Sequence, residues 1–417
     1  MGVIVKLEKY SIGIGDRFGQ QGKAQLDAVK KALNKGVTIT PVWNKSYREH
    51  ELIGTRPMDV RHEADDAVRS LGWEGGYFVD ADHVGMSTVE LFIEASDFFT
   101  LDVADFIGQS AEEDHVQNFI SRCKKYSGSL DIPGIDGALA ISECEVEEIA
   151  RKYLYGVEEA GRIYRHIKGH KQGDFIVEVS MDETENPQTP LELLFILAAI
   201  SQEGIPAQTI APKFTGRFNK GIDYVGDIAQ FTREFEQDLA VIRFAIGEFA
   251  LPSDLKLSVH SGSDKFAIYG PIRDALKKFD AGLHLKTAGT TWLEELIGLA
   301  EAGGDGLVLS KEIYKKAFSR MNGLCQPYAT VIDIDPLHLP HPKEVDRWEG
   351  EAFTSALRHD NTNVQYNSHF RQLLHVGYKI AAELGDRYLS ALREHEGIIA
   401  KNVTENIYER HIKKLFL

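Results

Sequence analysis

Short β-branched runs alternate with longer amphipathic stretches along this chain, the pattern of a parallel α/β fold. Tyr10–Ile14 reads as a strand and is followed by helical spacing over Gln21–Asn34. Val37–Trp43 precedes a helix over Pro57–Ser70, and Tyr77–Ala81 precedes one over Thr88–Ala95. A fourth strand near Phe98–Val103 leads towards Ser142-x-x-Glu145, a capping box, after which Val146, Ile149, Tyr153, Val157, Ala160 and Tyr164 recur at helical intervals. Asp174–Met181 is the fifth strand. The helix behind it is marked by Thr189 as N-cap, Pro190 at N1, Glu192 closing the box and Gly204 at its end. Ile205–Ile210, Leu255–His260 and Gly282–Lys286 complete the series. Their helices are expected at Asp227–Phe249, Pro271–Phe279 and from Thr291-x-x-Glu294.

Eight βα units predict a (β/α)8 TIM-like barrel over residues 1–310. Gly306–Leu309 is an alternative ninth strand. Residues 311–417 read as a mainly helical extension packed on the barrel, with a Pro-rich connection at Asp335–Pro342. No internal repeat or low-complexity segment interrupts the pattern.

Composition narrows the partners. Of the 417 residues, 43% are hydrophobic and 26% charged, so a sizeable core is available. The net charge of −16 disfavours nucleic acid and anionic membranes. The three cysteines form no CxxC pair, which suits a reducing compartment rather than a disulfide framework. The first residues are too few and too charged for a signal peptide. The longest apolar run, Leu193–Ile200, falls short of the ~20 residues of a membrane span. A soluble, cytoplasmic enzyme acting on a small molecule is expected, and a homo-oligomer stays open.

Active sites of such barrels form at the C-terminal ends of the strands. Asp16 and Arg17 follow strand one, Lys45 and Arg48 strand two, and Asp82 and His83 strand three. Glu178 lies late in strand five, and Lys213 and Arg217 follow strand six. His260 ends strand seven, and His284 with Lys286 ends strand eight. Alternation sets Lys256, Ser258 and His260 opposite Leu255, Leu257 and Val259, and His284 and Lys286 opposite Leu283 and Leu285. Three imidazoles from separate strands, His83, His260 and His284, can hold a divalent cation such as zinc, nickel, cobalt or manganese and leave positions open. Asp82 and Glu178 could then act as base and acid on opposite faces of a substrate. Asp82 could instead only orient His83, and Glu178 could itself be a ligand. Gly13-Ile-Gly15-Asp-Arg-Phe-Gly19 is no dinucleotide fingerprint: its third glycine is a residue late, and Arg17 stands in the turn.

These residues resemble the tagaturonate/fructuronate epimerase family. The matching segments include Gly15-Asp-Arg-Phe-Gly19, Lys45-Ser-Tyr-Arg-Glu49, Thr55-Arg-Pro57, Asp80-Ala-Asp-His83 and Glu178-Val-Ser-Met-Asp-Glu-Thr184. Ala211-Pro-Lys-Phe214, Lys220-Gly-Ile-Asp-Tyr-Val-Gly-Asp227, Ser258-Val-His-Ser-Gly-Ser-Asp-Lys-Phe266, His284-Leu-Lys-Thr-Ala-Gly-Thr290 and Arg371-Gln-Leu-Leu-His375-Val follow. The resemblance implies a metal-dependent interconversion of tagaturonate and fructuronate. It implies Asp82 as proton acceptor, Glu178 as proton donor, His83 as metal ligand, and His260 and His284 as the remaining ligands, with His375 in reserve. Arg17, Lys45, Arg48, Lys213 and Lys286 are the cations expected around the substrate carboxylate. The chain departs from the family in being shorter than typical members and in carrying Val84-Gly85, where a Leu-Lys pair is usual. That departure leaves room for another sugar acid or a neutral ketose, for a related barrel aldolase or ketose isomerase, or for a sugar-acid binding protein without turnover.

Overall fold

The computed structural model describes residues 6–287 and 290–417. Eight parallel strands close into a barrel: β1 (Tyr10–Ile14), β2 (Ile39–Ser46), β3 (Phe78–Val84), β4 (Phe98–Asp102), β7 (Ile176–Ser180), β8 (Thr209–Ala211), β9 (Lys256–His260) and β10 (Leu283–Lys286). Between β4 and β7 the chain inserts a helix (Glu113–Cys123), an antiparallel hairpin of β5 (Gly128–Leu130) and β6 (Leu139–Ile141), and the long helix Glu143–His170. All eight expected barrel strands are present, displaced by a few residues at their ends.

Local chemistry explains several of the helix boundaries. Ser142 and Thr189 accept from the backbone N–H three residues on, and the carboxylates of Glu145 and Glu192 reach back to cap the caps. Asp227 caps Ile228–Glu248 by accepting from two backbone N–H groups. Two expectations fail. The stretch Thr88–Ala95 holds only a single 3₁₀ turn, Val89–Leu91, so the chain passes from β3 to β4 without a full helix. Gly306–Leu309 is no ninth strand. It lies inside helix Gly304–Ser319, which buries Gly306, Leu307, Ser310, Ile313, Tyr314 and Ala317 at helical intervals.

The barrel interior is layered, and the layers change character from bottom to top. Leu7, Val42, Phe78, Phe98 and Ile176 form a small apolar cluster of their own, a plug at the N-terminal end. Two residues further along each strand the inward side chains are polar: Asn44, Asp80, Thr100, Glu178 and, across the barrel, Ser258 and His284. Successive same-face residues at this end are Ser46, Asp82, Asp102, Ser180, His260 and Lys286. The outward residues Trp43, Val79, Phe99, Val177, Leu257 and Leu285 belong to the main core beneath the helices. Burying polar groups costs free energy unless they are paired. A polar upper barrel therefore marks the C-terminal end as the place where chemistry is housed.

Candidate active site

The site starts with an irregularity in β3. Its pairing with β4 shifts register between Ala81 and Val84, and His83 sits at φ +52°. Strict alternation would turn Asp82 and His83 to opposite faces. The bulge and the left-handed residue instead let both approach the mouth. A non-glycine residue at such a φ costs about 1–3 kcal/mol and persists where surrounding contacts demand it.

The contact that fixes His83 is a hydrogen bond between Nδ1 and Asp102 Oδ2 (3.0 Å), which leaves Nε2 3.8 Å from Asp82 Oδ1. His260 is held in the same manner, with Nε2 2.8 Å from Glu178 Oε1. Its other nitrogen, Nδ1, lies 3.0 Å from Asp182 Oδ2 without hydrogen-bond alignment. The two rings meet edge to face at 5.2 Å. Among the described residues, one ligating atom each from His83, Asp182 and His260 falls within 4.8 Å of the others. Two imidazoles and a carboxylate, each imidazole backed by its own carboxylate, are a donor set for zinc, manganese, nickel or cobalt, with positions left for substrate. The misaligned pair His260–Asp182 fits two groups that point at a common cation better than two that bond each other.

His284, expected as the third ligand, is not in this group. It lies one inward position below Lys286, wholly buried, with Nδ1 2.8 Å from Ser11 Oγ and its ring against Phe98. Burial pushes its pKa down to about 3, so it is a neutral interior imidazole. Asp182 takes the place in the cluster. Sequence reasoning quoted Asp182 within a matching segment but passed over it, although it lies two residues on in the 178–180–182 phase of β7.

Lys286 forms the floor. Its ammonium is 2.7 Å from both Asp80 Oδ2 and Asp82 Oδ1, 3.2 Å from Glu178 Oε1 and 2.6 Å from Thr100 Oγ1. Burial alone would lower the Lys286 pKa, but the three carboxylates outweigh it and hold the group well above its ordinary value. Burial opposes ionisation of Asp82 and Glu178 as well. Lys286 chiefly offsets it, and both carboxyls lie below their usual range in the polypeptide by itself. Asp80, another residue not singled out from sequence, loses that contest: burial raises it to about 7. An ammonium already shared by three carboxylates is a charge-compensating hub, not the expected clamp for a substrate carboxylate.

The remaining cations separate. Lys45 shares the outward face of β2 with Trp43 and donates to the Arg17 carbonyl (2.9 Å), so it braces the loop after β1 rather than facing the mouth. Lys213 donates to the Thr184 carbonyl and steadies the loop that carries Asp182. Arg17 and Arg48 remain at the rim. The Arg17 guanidinium stacks 4.1 Å over Tyr378 and approaches Glu49, while Arg48 stands 5.2 Å from the Tyr328 ring. His375, the reserve ligand, is buried beside Arg17, Lys220, Arg371 and Lys265; after burial itself, these cations hold its pKa well below the ordinary value. Such surroundings repel a metal ion.

The family model for UxaE, tagaturonate epimerase, matches residues 2–415. The chain belongs to the tagaturonate epimerase family. The tagaturonate/fructuronate epimerase of Thermotoga maritima is 29% identical over 97% of this chain and 80% of its own length. Two crystal structures of fructuronate-tagaturonate epimerase from Cohnella laeviribosi share the fold. A glycerol-complexed one superposes with a TM-score of 0.81 at 24% identity, covering 99% of this chain and 82% of that one. A second, with two glycerols, gives 0.82 at 23%, covering 100% and 83%. In this tagaturonate epimerase the clustered polar side chains lie at the C-terminal mouth of the barrel. A cavity of about 560 Å³ bordered by Lys31, Lys35, Arg358 and Glu409 lies at the far end of the first helix and holds none of these groups. No described helix is long and apolar enough to cross a membrane.

Proposed function

We propose that this epimerase interconverts D-tagaturonate and D-fructuronate with a divalent cation held by His83, Asp182 and His260, by breaking and remaking a carbon–carbon bond. The two sugar acids differ at a hydroxyl-bearing carbon β to the ketone, whose hydrogen is not acidic. Deprotonation there cannot invert it, whereas a retro-aldol step can. Asp82, kept ionised by Lys286, takes the hydroxyl proton. The bond to the α-carbon breaks, and its electron pair stays with the ketose fragment as an enediolate. The aldehyde fragment turns, is attacked on its other face, and recovers the proton as the new alkoxide forms. When bound, the cation supplies Lewis acidity for the charge that develops on the ketose oxygens. Glu178 is fully buried behind His260 and Lys286, which favours a positioning role, orienting His260, over the direct proton donor that the family pattern suggests. We further read residues 311–417 as an extension that shapes the substrate end of the mouth. Tyr378 lies against the Arg17 guanidinium, Tyr328 against Arg48, and Arg371 Nε donates to the Gly221 carbonyl at 2.7 Å.

The observation that carries this reading is the paired support of the two imidazoles, Asp102 behind His83 and Glu178 behind His260, beside the ionised Asp82. Metal-loaded protein incubated with tagaturonate in D₂O should yield fructuronate, followed by NMR, with no deuterium at the inverted carbon. Deuterium at that carbon, or undiminished turnover after the metal is stripped, sinks the mechanism.

A further inference from the structure

In a chain of net charge −16, one stretch of the rim is densely cationic. The ammonium groups of Lys220 and Lys379 and the guanidinium of Arg48 stand 5.1, 5.0 and 5.2 Å from the ring of Tyr328. The Tyr328 hydroxyl is paired with that of Tyr378 at 3.0 Å, and Arg17 lies over the Tyr378 ring. Glu49, beside Arg17, and Glu183, which acts electrostatically on Lys220, oppose these charges in part.

Like charges gathered this closely are costly without a counter-charge. The polar groups facing them are also incompletely used. Among the described residues, buried Nη1 of Arg17 has no hydrogen-bond partner, and neither has either ring nitrogen of His375, which is 1% exposed. The cluster is rigidly built. Lys265 donates to the carbonyls of Asn219 and Ile222, on either side of Lys220, at 3.0 and 2.9 Å, and Gly221 N–H donates to Ser263 Oγ at 2.9 Å. Glu183, which acts on Lys220, directly follows Asp182 of the His83–Asp182–His260 group in the chain.

We propose that Lys220 and Arg17, with the paired hydroxyls of Tyr328 and Tyr378 and the buried imidazole of His375, form the subsite for the carboxylate of the sugar acid. The inference rests on the epimerase reading and adds a consequence to it. After carbon–carbon cleavage the carboxylate stays on the aldehyde fragment. A charge-assisted anchor at that end retains the fragment while its formyl group turns. It also answers the Val84-Gly85 departure, since the carboxylate is then read from the loops after β1 and β8 and from the C-terminal helices, without a lysine after His83.

The test compares wild type with Lys220→Gln and Lys220→Arg, each loaded with metal to the same content. Lys220→Gln should raise KM for tagaturonate about ten- to a hundredfold with kcat changed far less, and Lys220→Arg should restore most of the loss. Calorimetry with 3-hydroxypropionate, a carboxylate too weakly chelating to seek the metal, should show binding to wild type that Lys220→Gln loses at least tenfold. Unchanged KM and unchanged 3-hydroxypropionate affinity in Lys220→Gln overturn the subsite, as does absence of 3-hydroxypropionate binding to wild type. If wild type turns over neither hexuronate, the epimerase reading fails, and the calorimetric comparison alone decides the subsite.

Discussion

Lys286→Met removes the ammonium that three buried carboxylates share at the floor of the site. Two of them lie 2.7 Å and the third 3.2 Å from the ammonium, and Lys286 is 4% exposed. Breaking a buried ion pair by deleting one partner costs about 3–5 kcal/mol, because the other charge stays buried and uncompensated. Unfolding entropy near ~2.1 cal/mol/K per residue over 417 residues is roughly 0.9 kcal/mol per degree. The melting temperature should therefore fall by about 3–6 °C. Asp80 gives the internal control. Burial already brings its carboxyl to about 7, so Asp80→Asn gives up a charge that is only half held at neutral pH and should cost less than Lys286→Met. Asp80→Asn in the Lys286→Met background should recover part of the loss, which a double-mutant cycle followed by calorimetry measures. A Lys286→Met protein that melts within a degree of wild type, or an Asp80→Asn that costs as much as Lys286→Met, would refute the hub.

Asp182→Ala should bring bound metal well below one equivalent while His284→Gln retains it, by elemental analysis after dialysis; the reverse result returns the third ligand to His284. Asp102→Asn removes only the group behind His83, and a ten- to hundredfold weaker metal affinity with an intact fold is expected. Asp264 is wholly buried among Arg371, His359 and His411, and although burial opposes its charge these partners hold its pKa well below the usual range. A depressed carboxylate stabilises above its unfolded pKa of about 3.9 and loses that contribution as pH falls towards its folded value. Asp264→Asn should thus lower stability at pH 7 and flatten the acid limb below about pH 4, as read from urea midpoints against pH; an acid limb as steep as wild type contradicts it.

The fold was legible because its signals are local. A period of two in Leu255–His260, a period near 3.6 after Ser142, and the capping boxes at Ser142 and Thr189 each act within a few residues. Where those signals were weak the reading slipped: the stretch after Asp-His carried enough apolar spacing to suggest a helix, yet Gly85 and the short run to β4 allow only one 3₁₀ turn. The site was legible in part for the same reason. Strand-end position brought His83, His260 and Asp82 to one rim, because alternation and barrel direction decide that without knowledge of partners. What sequence could not decide is which of several inward polar groups meet. His284 and Lys286 are two residues apart on one strand and face the same way, but one layer of barrel separates their environments: the first sits against Phe98 and Ser11, the second among three carboxylates. Asp182 and Glu178 differ in the same way: four residues apart, the first groups with His83 and His260, and the second lies behind His260. The decisive element is the register shift in β3, which exists only in the pairing with β4 and turns His83 against its own alternation. Hydrophobic patterning selects faces, and layer and register along a face are then chosen by non-local pairing, so catalytic identity in a barrel of this kind is settled one level above the pattern that builds it.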